Sequence, residues 1–495
     1  MKDSLFEKET RTRNYMRTAL LVMFKAFDDV LGRDSVYKLT VEFTLGPHVF
    51  IRPSSDMKLS NKTFSDIWTR MHDYIDADLP IIKESIKVSD AYTKMVDEGI
   101  EEAASFLHFR RSSRITMSCI DDFKCYFYGS VMKHTGLLKA FDLMPYETGF
   151  FLLLPDVDEP DVIKEIDMPV KLFEAYSESY RIAHLLETDT ITDVNKEICA
   201  DNVTDLILTC ESIFDAKLVK AAQGIVSKGK KFVFVAGPSS SGKTSTANRL
   251  CYALRNYGIK PRLISLDDYY KDRTEAVKSG ANIDWESIET IDVARFSSDM
   301  LDLLEGKEIE LPRFDFRTQA SLPSGKRISL GERDILIIEG IHGLNDIFAE
   351  QIPEDLIYRV YVSALSQLNI SRHNRIPSTD IRLLRRIVRD HRSRGYDAAN
   401  TLRRWPSVRN GEMENIFPFQ ENADIIINTT MVYELAAIKP YAERALFCVE
   451  RGTPEYIKAK ELLKFLDFVI PLSTDQIPPA SIIREFIGGS CMNVG

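Results

Sequence analysis

The chain has 495 residues, 44% hydrophobic and 28% charged, with 23 Gly and 20 Pro. This composition fits a globular protein of about two to four domains and excludes a mainly disordered, collagen-like or coiled-coil chain. With 64 basic against 74 acidic side chains the net charge is −10, so no global basic footprint for nucleic acid exists.

Residues 1–155 mix two periodicities. Met16, Leu20, Met23, Phe24, Phe27 and Leu31 recur at helical spacing over 15–31. Residues 41–51 read as strand and turn, 67–74 as helix, and 121–128 and 149–154 as strands, which gives an N-terminal α+β domain. A Pro-rich acidic break spans 155–160. Residues 156–229 read as a helical connector, including helices over 171–188 and 203–227. From 230 to 446 short β-branched runs (232–236, 262–266, 335–338, 358–362, 424–427) alternate with helical stretches. That alternation predicts an α/β domain with a mostly parallel sheet flanked by helices. Residues 447–495 read as one helix and a Pro-rich tail.

Seven cysteines are scattered without a CxxC pair, the pattern of free thiols in a reducing compartment. No apolar run reaches about 18 residues, and the polar start has no signal-peptide core. A cytoplasmic protein without a membrane span is expected.

The strongest local signal is Gly237-Pro238-Ser239-Ser240-Ser241-Gly242-Lys243-Thr244, a full GxxxxGK[ST] match between an apolar strand and a helix, with Ser245 next. Glycines let backbone N–H groups face an anion, and the helix N-terminus adds partial positive charge. Lys243 would reach the β/γ-phosphates and the Thr244 hydroxyl would bind Mg²⁺. The only NK pairs, Asn61-Lys62 and Asn195-Lys196, lie upstream and lack the Asp of a guanine motif, which argues against a G-protein.

Two strand-like runs end in acids: 262–266 in Asp267-Asp268-Tyr269-Tyr270, and 335–338 in Glu339-Gly340-Ile341-His342. Ligands of open α/β sheets sit beyond such carboxyl ends. Asp267 there can accept a hydroxyl proton or hold Mg²⁺, and Glu339 is the second Mg²⁺-organising carboxylate. A solvated turn is the plain alternative for both. His342 follows one of these strands and is a candidate site residue; the other seven histidines are dispersed.

Residues 375–409 hold ten Arg and no Lys. Arg382, Arg385, Arg386 and Arg389 share one helix face opposite an apolar stripe. Arg suits bidentate phosphate recognition, and the stretch reads as a mobile lid closing on ATP.

The ordered motifs resemble the uridine kinase / phosphoribulokinase family of P-loop kinases. They are GPSSSGKT (237–244), LDDYY (266–270), Asn282-x-Asp284, LPRFDF (311–316), EGIHGL (339–344), RRIVRDHRSRG (385–395) and ENADIIIN (421–428). The resemblance implies ATP and Mg²⁺ as cofactors and Asp267 as base toward the acceptor hydroxyl. It implies Thr244, Glu339 and Asp267 around Mg²⁺, and Arg386 and Arg389 on the ATP phosphates. Tyr269 and Asp284 fall on the acceptor side, and Phe314 and Phe316 where aromatics wall the base pocket. Gln319 stands where pyrimidine nucleoside kinases carry a His, Arg394-Gly395-Tyr396 where they carry RGR, and Arg404 where a Gln is usual. Buried polar contacts to a base set specificity, so such changes can redirect it.

Residues 362–390, 403–420 and 481–490 are similar to a subgroup of long bacterial-type uridine-kinase-like proteins. Residues 13–32, 79–130 and 135–141 resemble the second additional domain of threonyl-tRNA synthetase. Asn14, Thr18, Phe127 and Val131 occupy the positions of its editing His and Cys residues, so a lobe without editing chemistry is expected. The resulting expectation is an ATP-dependent kinase acting on a hydroxyl of a nucleoside-like small molecule, with nucleic acid disfavoured as partner and homo-oligomerisation open. The alternatives are a sugar or polyol kinase on the same fold, or an RNA- or tRNA-linked regulatory ATPase.

Overall fold

The computed structural model describes residues 5–97, 104–272, 286–315 and 318–493. Helix α1 (Leu5–Leu31) buries Leu20, Phe24 and Phe27, as their spacing predicts. The short α2 (Arg33–Tyr37) leads into a hairpin of β1 (Leu39–Leu45) and β2 (His48–Pro53). Ser60 caps α3 (Asn61–Asp76) by accepting from the Thr63 N–H. Then come β3 (Ile82–Lys87), α4 (Val88–Asp97), β4 (Arg114–Ile120), β5 (Phe123–Tyr126), β6 (Asp142–Tyr146) and β7 (Gly149–Leu153). They form two antiparallel sheets, β1-β2-β7-β6 and β3-β4-β5. The aromatic residues Phe24, Phe27, Phe123 and Phe150 fill the core under α1.

Three helices follow: α5 (Val170–Leu185), α6 (Ile191–Cys199, opened by a Thr190/Asp193 capping box) and α7 (Val203–Ser227). Helix α7 shares a hydrophobic core with the sheet beyond it through Ile207, Phe214, Leu218 and Ile225.

The second sheet system is β8 (Phe232–Ala236), then α8 (Lys243–Arg255), β9 (Lys260–Ser265), α9 (Val293–Leu304), β10 (Ile309–Asp315), β11 (Ala320–Ile328), β12 (Asp334–Glu339) and β13 (Ile357–Ser363). The hairpin strands β14 (Asn369–Ser371) and β15 (Asn374–Arg375), α10 (Ser378–Arg389), α11 (Ala398–Asn415), β16 (Ile425–Asn428) and α12 (Glu434–Phe447) complete it. Five strands pair in the order β16-β13-β8-β12-β9, every neighbour parallel. Central β8 is fully buried, the continuous apolar strand that a sheet covered on both faces requires. β10 and β11 form a separate antiparallel hairpin beside the sheet, which the sequence pattern did not predict.

The C-terminal stretch adds a second, short helix to the expected helix and Pro-rich tail, and that tail is docked. It holds α13 (Pro454–Leu466) and α14 (Ile483–Ile487), and Ile482, Ile483 and Phe486 are fully buried in the same core as α10 and α12. Apolar residues inside the Pro-rich stretch drive this docking. Among the described residues no helix is long and apolar enough to cross a membrane.

Candidate active site

The loop from Gly237 to Gly242 turns β8 into α8. Gly237 has φ +157, and a Cβ there would stand 1.9 Å from the Val362 carbonyl, so only glycine lets the loop lie against β13. Gly242 caps α8 at φ +86, and Thr246 bonds back to its carbonyl at 2.8 Å. The buried hydroxyls of Ser240 and Ser241 have no hydrogen-bond partner among the described residues. The Lys243 ammonium donates to the Pro238 carbonyl at 3.2 Å. Burial lowers its pKa, and Glu339 and Asp267 oppose that fall. Unpaired donors, a helix N-terminus and a half-buried cation suit a phosphate chain.

The two strand ends meet beside this cradle. Ser265, closing β9, donates to Glu339 at 3.1 Å and accepts from the Asp267 N–H at 3.3 Å. Burial raises the pKa of Asp267, opposed by Lys243, Arg394 and Arg389. Burial and the Asp267 charge push Glu339 up as well. The neighbouring Asp268 accepts from the Phe314 N–H at 3.4 Å. A cavity of about 360 Å³ opens between the cradle and the β10–β11 hairpin, lined by Thr244, Ser265, Asp268, Arg313, Lys326 and Glu339. Its oxygen donors are the hard set Mg²⁺ takes beside nucleotide phosphates. Among the described residues no cluster of three or more His, Cys, Asp or Glu forms a cage of protein ligands alone. The Thr244 hydroxyl with Glu339 and Asp267 fits such a shared site.

Helix α10 departs from an exposed lid face. Arg382, 3% exposed, forks onto Glu412 and donates to the Ser239 carbonyl at 3.0 Å. Arg385, fully buried, forks onto Glu434 at 2.9 and 2.6 Å and reaches the Ser240 and Thr429 carbonyls. These two arginines brace the loop from behind. Arg386 donates to the Ser239 hydroxyl at 2.7 Å. Arg386, Arg389 and Arg394 all lean on one carboxylate, Asp390, at 3.4, 2.8 and 3.8 Å. Three cations sharing one anion leave positive charge next to the cradle.

The expected acceptor residues separate. Tyr269 is 2% exposed, donates to Asp299 at 2.9 Å and packs on Phe296, so it is a core residue. Phe314 is buried against Tyr270 at 5.4 Å between ring centres. Gln319 sits at φ +57 with its Oε1 buried and without a hydrogen-bond partner among the described residues. Arg404 stacks on the half-exposed Tyr396 ring at 4.7 Å. Asp284 and Phe316 lie outside the described residues. Trp405 is 1% exposed and belongs to the core.

Two further residues enter the site. His342 is 1% exposed, neither ring nitrogen has a hydrogen-bond partner among the described residues, and burial with Lys243 pulls its pKa down to about 4, so the ring is neutral. Glu485, from α14, accepts from the Ser245 hydroxyl at 2.6 Å and its N–H at 3.3 Å, in the first turn of α8. Arg392 ties this segment to the end of α10 through the carbonyls of Phe486 and Glu485. Ser245 is thus engaged by protein, and nothing local in the sequence signals a partner 240 residues away.

The Phosphoribulokinase / Uridine kinase family matches residues 232–436. A uridine kinase of Halobacterium salinarum is 30% identical over 197 residues, 39% of this chain and 77% of that protein. A uridine kinase of Brevibacillus brevis is 29% identical over 195 residues, 39% of this chain and 82% of that protein. A solved putative fructose transport system kinase from Silicibacter sp. TM1040 aligns at TM-score 0.33 and 20% identity, covering 42% of this chain and 98% of that one. With its phosphate cradle, paired strand-end acids and braced arginine helix, the chain belongs to the phosphoribulokinase / uridine kinase family and is an ATP-dependent phosphotransferase.

Proposed function

We propose that the protein transfers the γ-phosphate of ATP to a hydroxyl of a nucleoside, uridine- or cytidine-like in type. The observation that carries this reading is the half-buried Asp267 at the end of β9, whose N–H donates to the Ser265 hydroxyl that in turn donates to Glu339, with β12 alone between it and the cradle strand. The likeness to uridine kinases over 232–436 supports the nucleoside class.

In this reading the acceptor enters the cavity between Glu339 and the β10–β11 hairpin. Asp267 takes the hydroxyl proton as the oxygen attacks phosphorus. Lys243, Arg386 and Arg389 hold the charge that develops on the transferred group, where positioning and electrostatics supply most of the catalysis. Thr244, Glu339 and Asp267 would hold Mg²⁺, which when bound neutralises phosphate charge. The loop 237–242 with Lys243 and Thr244 binds the triphosphate, Ser245 being held by Glu485, while Asp284, Phe314, Phe316, Gln319, Arg394, Tyr396 and Arg404 belong to the acceptor side. A sugar or polyol acceptor is the second reading, favoured by the Gln319 amide oxygen, which has no hydrogen-bond partner among the described residues and suits a hydroxyl donor.

The test is ADP release with ATP·Mg²⁺ against nucleosides, sugars and polyols, beside Asp267→Asn. Nucleoside-dependent turnover that falls about 10²–10⁴-fold in the variant supports the reading. Turnover with polyols alone moves the assignment to the second reading. Turnover that needs no acceptor and survives the variant removes Asp267 from the chemistry and favours a regulatory ATPase.

A further inference from the structure

A second cavity, of about 520 Å³, lies between the N-terminal sheets and helix α13, away from the phosphate cradle. Its size is that of a small-molecule pocket. Its charge is unlike that of the chain. Against a net −10, the cavity gathers cations from four elements: Arg17 on α1, Lys83 on β3, Arg114 on β4 and Lys464 on α13, with Arg110 between. Arg13 and Lys458 complete the wall, against only Asp380 and Glu461.

The acids do not satisfy this charge. Asp380 is held by Arg13 at 2.9 and 3.0 Å and by Lys458 at 2.9 Å. Among the described residues Arg17, Lys83, Arg110, Arg114 and Lys464 have no carboxylate partner. Two nitrogens of Arg110, Nε and Nη1, are buried without a hydrogen-bond partner among the described residues, the guanidinium lying 4.3 Å over the Phe468 ring. Buried charged donors left unpaired are costly, and a ligand that satisfies them is one explanation for their presence. Burial and neighbouring positive charge hold Arg17 down to about 10, and burial with Arg110, Arg17 and Lys83 lowers Lys464. These cations therefore converge on one space.

We propose that this cavity binds a small molecule bearing two or more phosphate groups, and that its occupancy is coupled to the kinase centre through Asp380. Arginine forks and lysines lining one partly open cavity match phosphate oxygens. The volume admits a nucleotide or oligophosphate and not a folded nucleic acid. Coupling follows from connectivity. Asp380 lies in the first turn of α10, which carries Arg386 and Arg389 at its other end. A phosphate group drawn to Arg13 and Lys458 competes with Asp380 for both and loosens the anchor of that helix.

The test is direct binding to the full-length protein, so it stands whatever acceptor the kinase uses. Tripolyphosphate is titrated calorimetrically into wild type, into Lys243→Ala, and into a Lys83→Gln/Arg110→Gln/Lys464→Gln triple variant. Wild type is expected to show two sites. Lys243→Ala keeps the cavity site, while the triple variant keeps the cradle site and binds at the cavity about tenfold or more weakly. All three substituted residues are at least partly exposed, and Lys464→Gln alone serves if the triple variant misfolds. Tripolyphosphate in the cradle competes with ATP in both proteins, so coupling is read as the part of the shift in the KM for ATP that wild type shows beyond the triple variant; equal shifts in the two remove the coupling. One site abolished by Lys243→Ala, or tripolyphosphate binding unaffected by the triple substitution, overturns the proposal. So does binding of a single-stranded RNA oligonucleotide that needs these cations while tripolyphosphate does not bind.

Discussion

Glu485→Gln separates two roles that one carboxylate plays. In the fold, Glu485 is 6% exposed and accepts two hydrogen bonds from Ser245, at 2.6 and 3.3 Å, in the first turn of α8. A bond to a charged group contributes about 1.5–3 kcal/mol, and an anion at a helix N-terminus about 0.3–1 kcal/mol. Gln keeps the shape and one acceptor oxygen, so the loss is the charge-dependent part, about 1–2 kcal/mol. For the nucleotide the sign reverses. Glu485 lies close enough to bear on the charge of Lys243, Glu339 and Arg394. A unit charge about 10 Å from another, at an effective dielectric near 20, interacts by about 1–2 kcal/mol. Removing this repulsion is expected to tighten binding of a non-hydrolysable ATP analogue by roughly tenfold. Urea denaturation measures the first effect and calorimetric titration the second. A variant that is less stable and also binds nucleotide more weakly refutes the charge argument and leaves Glu485 as a prop for the loop.

Two other outcomes follow from buried charge. Arg385→Met strands the Glu434 carboxylate, which is 1% exposed, and should cost about 3–5 kcal/mol by chemical denaturation; Arg385→Met/Glu434→Gln should recover part of it. Equal losses in the two variants would show that Arg385 acts by packing alone. His373 donates to the Val36 carbonyl at 2.9 Å in the tautomer with hydrogen on Nε2, and burial pulls its pKa down to about 4. The folded state keeps this ring neutral while the unfolded chain takes a proton below about 6.5. Stability is therefore flat above that pH and falls between about 6.5 and 4, by at most about 3 kcal/mol from this group. His342 adds a loss of the same sign. His373→Gln should flatten the slope in that window, and an unchanged slope measured by denaturation at stepped pH would count against a neutral His373.

The parts of the molecule that were legible in the sequence are those whose physics is local. The loop 237–244 needs its glycines and Lys243 in fixed order, and the buried parallel strands need unbroken apolar runs such as Phe232–Ala236. The β10–β11 hairpin was not legible, because β11 is largely polar, exposed and interrupted by Pro323 and Gly325. Nor could the helix face of α10 be sorted. Arg382 and Arg385 carry the same pattern as Arg386 and Arg389, and only Glu412 and Glu434, 30 and 49 residues away, distinguish brace from site. Tyr269 failed for a related reason, since its core partners Asp299 and Phe296 lie on a separate helix. Glu485 carries no local mark at all.

The bracing of α10 decides what can move when ATP binds. A lid that swings as a helix would have to break the Arg382–Glu412 and Arg385–Glu434 forks, both buried, at about 3–5 kcal/mol each. It would also strip Ser239 and Ser240 of the donors that shape the cradle. Binding energy spent that way would undo the site it is meant to close. The cheaper motion, on the proposed function, leaves the helix in place and redirects Arg386, Arg389 and Arg394 from the Asp390 carboxylate they have in common to phosphate oxygens, Arg386 also releasing the Ser239 hydroxyl. The same rigidity makes α10 a connector. Asp380 and Arg389 are nine residues apart, about 13 Å along a helix, so the anchor set by Arg13 and Lys458 at one end helps fix where Arg386 and Arg389, proposed to face phosphate, stand at the other.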